Sequence, residues 1–487
     1  MPTLRQRIAA LLPKGAFNRA AAMLVGGTAI GQVVTIVASP LLTRLYAPGD
    51  FGTLAVYTSV ITIIGGQASF SYHQAIPIPE TDGEAANLLG VSMLTTVATA
   101  LFSGVAMALC GQWMAIRLGA PGLGPWLWMV PLGVFALSAH EVAQQWAVRK
   151  KAFRVIASTT VIRGFAQIGT QLGLGLVGVA PFGLLLGQLV GQWSGSGTLL
   201  RLAWKEDEAA IRALTARSLQ DSAVRHQDFP RYSAPAVLLS AIGTEAPALL
   251  LSFFFGNSVT GLYALGMRVL SMPVSLVARS AGQVFFASAA EALRAGRLAE
   301  ETATLYGRMV RMAAPFTVLL VLAAPDLFAV VFGEKWREAG VYTQWMVPWI
   351  GVVFLAYPLM ALVSVCDRQR SGMVWQVALL VGRVSGLAIG GMNDNARLAI
   401  ALFGLGSGSL WAAYTLWLLR LAGVRLGVAG RMSIRPVIES VAFSLPIIAA
   451  KVLGASSWVV LAAFSVSSAM ALARLIQTER SGQIYQK

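Results

Sequence analysis

Long apolar stretches alternate with short charged segments along the whole chain. A membrane-crossing helix needs about 20 mainly apolar residues. By that measure the pattern predicts fourteen helices: 20–43, 51–71, 86–110, 124–147, 155–178, 182–202, 233–255, 259–286, 309–332, 343–365, 371–391, 398–419, 437–453 and 457–474. The first run is longer than the apolar core of a cleavable leader and is read as a retained span. The last two are the shortest of the set and mark the least regular part of the pattern. No ten-residue segments of alternating polarity, the mark of a membrane β-barrel, occur between them.

Composition supports an all-α polytopic membrane protein. Of the 487 residues, 56% are hydrophobic and 12% are charged, about half the charged share of soluble domains. The net charge of +16 would suggest nucleic acid in a soluble chain, but its distribution gives topology instead. With the N-terminus inside, only Arg44, Arg117, Lys335, Arg337, Arg397 and Lys451 of the 37 basic residues fall in outward segments. Four more, Arg163, Arg268, Arg279 and Arg383, lie within spans more than a turn from either end, and the other 27 lie in inward segments or at the inward ends of spans. Cytoplasmic loops carry the excess of Lys and Arg, so both termini are expected in the cytoplasm. A nucleic-acid partner is not expected. Attraction to anionic lipid heads is.

The longest polar segment, 203–232, separates six spans from the next six. Both halves therefore start on the same side, as in a parallel repeat. An echo fits this: Phe51-Gly52-Thr53-Leu54-Ala55 opens the second span and Thr260-Gly261-Leu262-Tyr263-Ala264 opens the eighth. The expected organisation is a cytoplasmic N-terminus (1–19), a six-helix lobe (20–202), a cytoplasmic linker (203–232) and a second six-helix lobe (233–419). Two extra helices and a cytoplasmic C-terminus (420–487) follow.

The chemistry lies in polar residues placed at helical spacing inside the apolar spans, where they are costly and favour a bundle interior or a wet cavity. Thr28, Gly31, Gln32, Thr35, Ser39 and Thr43 share a face of the first span. Thr58, Thr62, Gly65, Ser69 and His73 share one of the second. The eighth presents Arg268, Ser271, Ser275, Arg279, Gly282 and Gln283, and the fifth Thr159, Arg163, Gln167 and Thr170. Gln32, Thr35, Thr62, Ser275 and Gln283 are the expected polar lining of a hydrated cavity. Arg383, Arg268, Arg163 and Arg279 are candidate contacts for an anion, because guanidinium stays charged and grips phosphate with two parallel hydrogen bonds. Alternatives stand beside these: Arg163 can pair with Glu141, Glu245 can pair with Arg268 or couple an ion, and Arg279 can snorkel to the cytoplasmic surface. Glu141 is a second ion-coupling candidate. Two distant cysteines and three scattered histidines offer no metal spacing. There is no phosphate-binding loop or dinucleotide fingerprint and no large outward loop. No cofactor, metal or enzymatic reaction is expected.

Several stretches together resemble bacterial polysaccharide flippases of the Wzx type, for O-antigen or exopolysaccharide. These belong to the superfamily that includes multidrug exporters and peptidoglycan lipid flippases. The stretches are Leu42-Thr43-Arg44-Leu45-Tyr46 with Asp50-Phe51-Gly52, and Ala75-Ile76-Pro77-Ile78-Pro79 with Asp82, Glu84 and Ala85. Phe229-Pro230-Arg231-Tyr232 with Pro235, Gly261-Leu262-Tyr263-Ala264 with Arg268 and Pro273, and Phe332-Gly333-Glu334 with Trp336, Ala339 and Gly340 complete the set. The resemblance implies two six-helix lobes forming a V around a central cavity. It also implies alternating-access transport of a lipid-diphosphate-linked oligosaccharide across the inner membrane, for lipopolysaccharide, capsule or exopolysaccharide assembly. A polysaccharide polymerase and a chain-length regulator are the partners it implies. A cation-coupled multidrug exporter is the alternative within the superfamily, and a membrane polysaccharide polymerase is a third reading. Drug exporters of the group often carry an acid in the first span, and none lies between Ala20 and Thr43 here.

Overall fold

The computed structural model describes residues 16–206, 208 and 212–484. Arg5, Arg7, Lys14 and Lys487, which are among the 27 cations expected to face inward, lie outside them, as do the side chains of Arg19, Thr28, Lys205 and Arg480. The described residues form helices joined by short turns, with no strand among them. The chain divides into two compact units, Met1–Gly261 and Leu262–Lys487.

The first unit holds α1 (Ala16–Leu45), α2 (Pro48–Gly65), α3 (Asp82–Arg117), α4 (Met129–Arg149), α5 (Phe153–Leu176), α6 (Phe182–Glu206) and the short α7 (Ala216–Arg225). It also holds most of α8 (Ala234–Pro273). The second unit continues with α9 (Arg279–Arg294), α10 (Leu298–Phe332), α11 (Arg337–Leu359), α12 (Gln369–Met392), α13 (Ala396–Leu421), α14 (Leu426–Phe443), α15 (Leu445–Val452) and α16 (Ser457–Ile484). Every predicted apolar stretch overlaps one of these helices. Among the described residues, seven helical segments are by length and composition apolar enough to cross a membrane, or eight with the bent α14–α15 pair as one span. Side chains such as Leu101, Phe102, Leu109 and Trp113 of α3, and Met373, Val374 and Val381 of α12, are exposed. Such stripes suit contact with lipid and would be unfavourable in water.

Three local departures from the predicted pattern have physical causes. The predicted seventh and eighth spans form one long helix interrupted at Gly256, whose φ of 77° is open to glycine at no steric cost. The thirteenth span begins at Leu426, well before residue 437, because Arg431, Arg435 and Glu439 on one face of α14 mask the helical period. It then bends by 43° into α15, where Pro446 opens a new first turn and cannot donate to the preceding one. Finally, segment 203–232 is more than a tether. Thr215 caps α7, accepting from the Ser218 amide at 3.2 Å. Leu214, Leu219, Ala223 and Phe229 pack against a core of Tyr72, Ile76, Ala85, Leu88 and Trp146. Ser218 Oγ donates to Asn87 Oδ1 at 2.8 Å, and Arg225 pairs with Glu84 at 2.9 Å. Next to this contact, Asp82 lies in the first turn of α3, outside the apolar stretch. Lys150 and Arg149 each donate to its carboxylate at 3.0 Å and hold it below the usual carboxylate range.

Three of the six cations that the charge pattern would place outward, Arg337, Lys451 and Arg397, lie in the second unit and are neutralised there. Asp326 of α10 receives Arg337 at 2.9 Å, Lys451 at 3.0 Å and the Ser457 hydroxyl at 3.0 Å. Arg397 grips Glu338 with two bonds of 2.6 and 2.7 Å. The Asp326 side chain is 15% exposed, so removing it leaves two cations and a hydroxyl facing a largely desolvated gap. Asp326→Ala is expected to cost about 2 kcal/mol, less than a fully buried pair because both cations are partly hydrated. A thermal melt in detergent checks this. Glu334→Ala, at a carboxylate 74% exposed, should move the midpoint little. Equal shifts in the two variants would exclude a special role for Asp326.

Candidate functional site

In the first unit, α1 and α5 approach closely because Gly31 and Gly164 face each other. A β-carbon at Gly164 would lie 3.4 Å from the Gly31 backbone. The contact continues to Tyr46, whose hydroxyl donates to the Gln171 carbonyl at 2.7 Å. Thr35 donates back to the Gly31 carbonyl at 3.0 Å and Ser39 to that of Thr35 at 2.8 Å. These polar residues thus satisfy their own helix, as expected for hydroxyls in an apolar segment. Gln32 is half-buried and engaged in a polar contact, and Thr62 on α2 is half-buried.

Arg163 is held by the small residue opposite it. A β-carbon at Gly195 of α6 would stand 2.6 Å from Arg163 Cδ and 3.3 Å from His140 Cε1. Glycine there lets the arginine stem lie flat between α5, α6 and α4. No ion pair joins Arg163 to Glu141 among the described residues. The Nδ1 atom of His140 is buried without a hydrogen-bond partner among them. Glu245 of α8 is half-buried and accepts from Ser59 Oγ at 2.7 Å. That acid–hydroxyl contact was not foreseen from sequence, since serine on an apolar helix carries no pairing signal.

In the second unit, Arg268 is half-buried near the C-terminal end of α8, and Ser275 donates to the Met272 carbonyl at 2.9 Å. After Pro273 the helix widens into a turn of five-residue spacing, Val274–Ala278, and then continues as α9. Such widened turns re-aim the side chains that follow. Arg279 and Gln283, one turn apart on α9, line a groove of about 480 Å³ with Gly282, Phe286, Tyr357, Pro358 and Ala361. The Arg279 guanidinium sits 5.8 Å from the Tyr357 ring centre. Gly282 packs on Pro358, where a β-carbon would be 3.3 Å from its Cα, so α9 and the end of α11 lie close enough to form the groove floor. The fold therefore brings Arg279 and Gln283 into one groove.

Arg383 of α12 is half-buried, with its guanidinium 5.6 Å from the Trp349 ring centre. Trp349 is edge-on to Phe403 at 4.9 Å, and Phe403 to Tyr263 at 6.1 Å. This ring network fixes the plane over which the cation lies, an arrangement worth about 0.5–2 kcal/mol. A tryptophan at a helical position carries no sign of which cation it meets, so this partner was not legible in sequence.

The structure is similar to that of the lipid II flippase MurJ in an inward closed conformation. The TM-score is 0.69, the identity 10%, and the match covers 94% of this chain and 99% of that one. An inward-facing multidrug resistance transporter of the MATE family, in the MOP superfamily, matches with a TM-score of 0.57 and 12% identity over 82% of this chain and 94% of that one. At these identities the likeness shows the fold. In sequence, the chain is 23% identical over 307 residues to the succinoglycan biosynthesis transport protein ExoT of Rhizobium meliloti (strain 1021). That match covers 62% of this chain and 60% of the relative's own length. Residues 41–340, which hold α2 to α10 and all of the motif stretches, match the polysaccharide biosynthesis protein family, and this multi-pass membrane chain belongs to it.

Proposed function

We propose that the chain is a flippase that carries a polyprenyl-diphosphate-linked oligosaccharide across a bacterial inner membrane by alternating access, supplying surface polysaccharide assembly. The observation that carries this reading is the set of arginines inside apolar helices of a chain from a polysaccharide biosynthesis family. Arg163, Arg268 and Arg383 are half-buried there. A charge in that setting is retained at a cost of a few kcal/mol. A doubly charged diphosphate must leave water to cross, and guanidinium groups offer it replacement hydrogen bonds.

On this reading Arg279 and Gln283 form an entry groove for the anionic head group, and the deeper arginines hold it in transit. Glu245 and Glu141 are the candidates for coupling an ion. The repeated lobes are 20–202 and 233–419, with the later helices as an appendage and both termini in the cytoplasm. The likeness to a lipid II flippase, whose cargo is also lipid-linked, agrees with such a cargo, and the named transport relative agrees with an exopolysaccharide repeat unit. The chain acts as a transporter with no covalent step of its own. A polymerase and a chain-length regulator are its proposed functional partners.

Deletion in the source bacterium, followed by mass analysis of extracted lipid-linked oligosaccharides, tests this. Accumulation of one complete repeat unit on its lipid carrier, with surface polysaccharide lost, is expected. Unchanged lipid intermediates together with raised sensitivity to cationic drugs would reject the flippase in favour of a multidrug exporter.

A further inference from the structure

The strongest unassigned feature is a basic cavity between α10, α14 and α16, all in the second unit. It encloses about 660 Å³ and is lined by Arg311, Arg431, Arg435 and Arg474, with Glu439. Its order comes from spacing: Arg431, Arg435 and Glu439 follow one another at four residues and so share a face of α14. Glu439 Oε1 receives Arg435 at 3.1 Å and Arg474 at 3.0 Å, while Oε2 has one contact of 3.4 Å, also from Arg474. No acid pairs with Arg311 or Arg431 among the described residues. Four guanidiniums against one carboxylate leave a strong excess of positive charge.

A second opening adjoins the first and shares Arg311. It is an apolar groove of about 230 Å³ between α10 and α16, lined by Pro315, Phe316, Leu319, Phe464 and Leu472. From Arg311 to Leu319 it runs about 12 Å along α10, at 1.5 Å per residue. Arg311 itself stands where the charged stretch ends and the apolar stretch of α10 begins, the depth at which head groups meet acyl chains. A cationic cage at head-group depth opening into a short apolar groove matches a two-part amphiphile.

We propose that this cavity is a binding site for an anionic phospholipid, with its phosphodiester among the arginines and the upper part of one acyl chain in the groove. Glu439 favours a diester bearing a polyol head group. Its less engaged oxygen can accept a head-group hydroxyl, whereas a diphosphate would place its second phosphate against this carboxylate. The site is separate from the proposed transport groove at Arg279, and its lipid preference does not depend on the transport reading.

Titration of the purified full chain with phosphatidylglycerol or phosphatidylcholine, read by native mass spectrometry, tests the assignment. Phosphatidylglycerol should bind preferentially. The exposed pair is the safest to change: Arg431→Gln with Arg435→Gln should weaken that binding about thirtyfold, with phosphatidylcholine unchanged. Arg431→Lys with Arg435→Lys should keep most of it, which separates charge from packing. Equal affinity for the two lipids in the wild type, or unchanged affinity in the glutamine pair, would overturn the proposal. So would inorganic phosphate displacing the lipid at equal concentration, which would make it a soluble-anion site. Tighter binding of undecaprenyl diphosphate, lost in the glutamine pair, would assign it to the lipid carrier instead.

Discussion

Gly52→Ala is expected to lower the melting midpoint of the purified protein by about 6–12 °C, corresponding to about 3 kcal/mol. Gly52 is the second residue of the sequence echo that opens α2, and Gly261 is its counterpart on α8. The two helices cross at these glycines. A β-carbon on Gly52 would lie 1.8 Å from the Asn257 carbonyl oxygen, and one on Gly261 would lie 1.8 Å from that of Pro48. Backbone atoms cannot rotate away as a side-chain tip can, so the helices would have to part. Parting them also strains the Asn257 Nδ2 to Thr53 Oγ1 hydrogen bond of 2.9 Å. Gly261→Ala should have the same effect. Gly169 of α5, where an added β-carbon meets nothing within 4 Å, is the control. There alanine should be neutral or stabilising by up to about 1 kcal/mol. Equal midpoints for Gly52→Ala and Gly169→Ala would exclude the close-contact account.

That crossing shows what was legible in the sequence. Hydrophobic runs place the helices, because bilayer burial forces a long apolar period that no loop imitates. The motif residues turn out to hold structure. Asp50 Oδ2 accepts from the Ala47 amide at 2.8 Å at the start of α2. Gly333 ends α10 at φ 104°, Trp336 is fully buried, and Gly340 lets α11 approach the Ala324 carbonyl. Such residues mark a family because the fold needs them, so family and fold are read together. The sites are read less well. Periodicity finds the stripe on α8 and α9 but not the widened turn after Pro273 that aims Arg279 and Gln283 into one groove. It finds Arg383 but not Trp349, and Glu245 but not Ser59, because contacts between distant helices leave no trace in spacing. The arginines of α14 and α16 read as ordinary inward-facing charge, and only the fold gathers them around a cavity.

Arg383→Ala and Arg268→Ala are each expected to cut polysaccharide export per protein by about 10- to 100-fold, with insertion in the membrane unchanged. A charge-assisted hydrogen bond is worth about 1.5–3 kcal/mol. On the proposed flippase reading, losing one where the diphosphate would shed its water raises the crossing barrier by that amount, and each 1.4 kcal/mol is tenfold in rate. The rival account is structural: Arg383 stacks on Trp349 to stiffen the ring network with Phe403 and Tyr263, and the cargo never meets it. The two accounts diverge in what the melting midpoint does. A transport role predicts that Arg383→Ala loses export while the midpoint shifts by no more than the cation–ring contact allows. Arg383→Lys should then recover part of the export, since it keeps the charge but not the planar two-bond grip. A structural role predicts that export falls only as far as the folded fraction does. Normal export from both alanine variants at normal expression would sink the diphosphate-binding role of these arginines. The chain's family and fold would stand, and the search for the cargo's cation would move to Arg163 and the groove at Arg279.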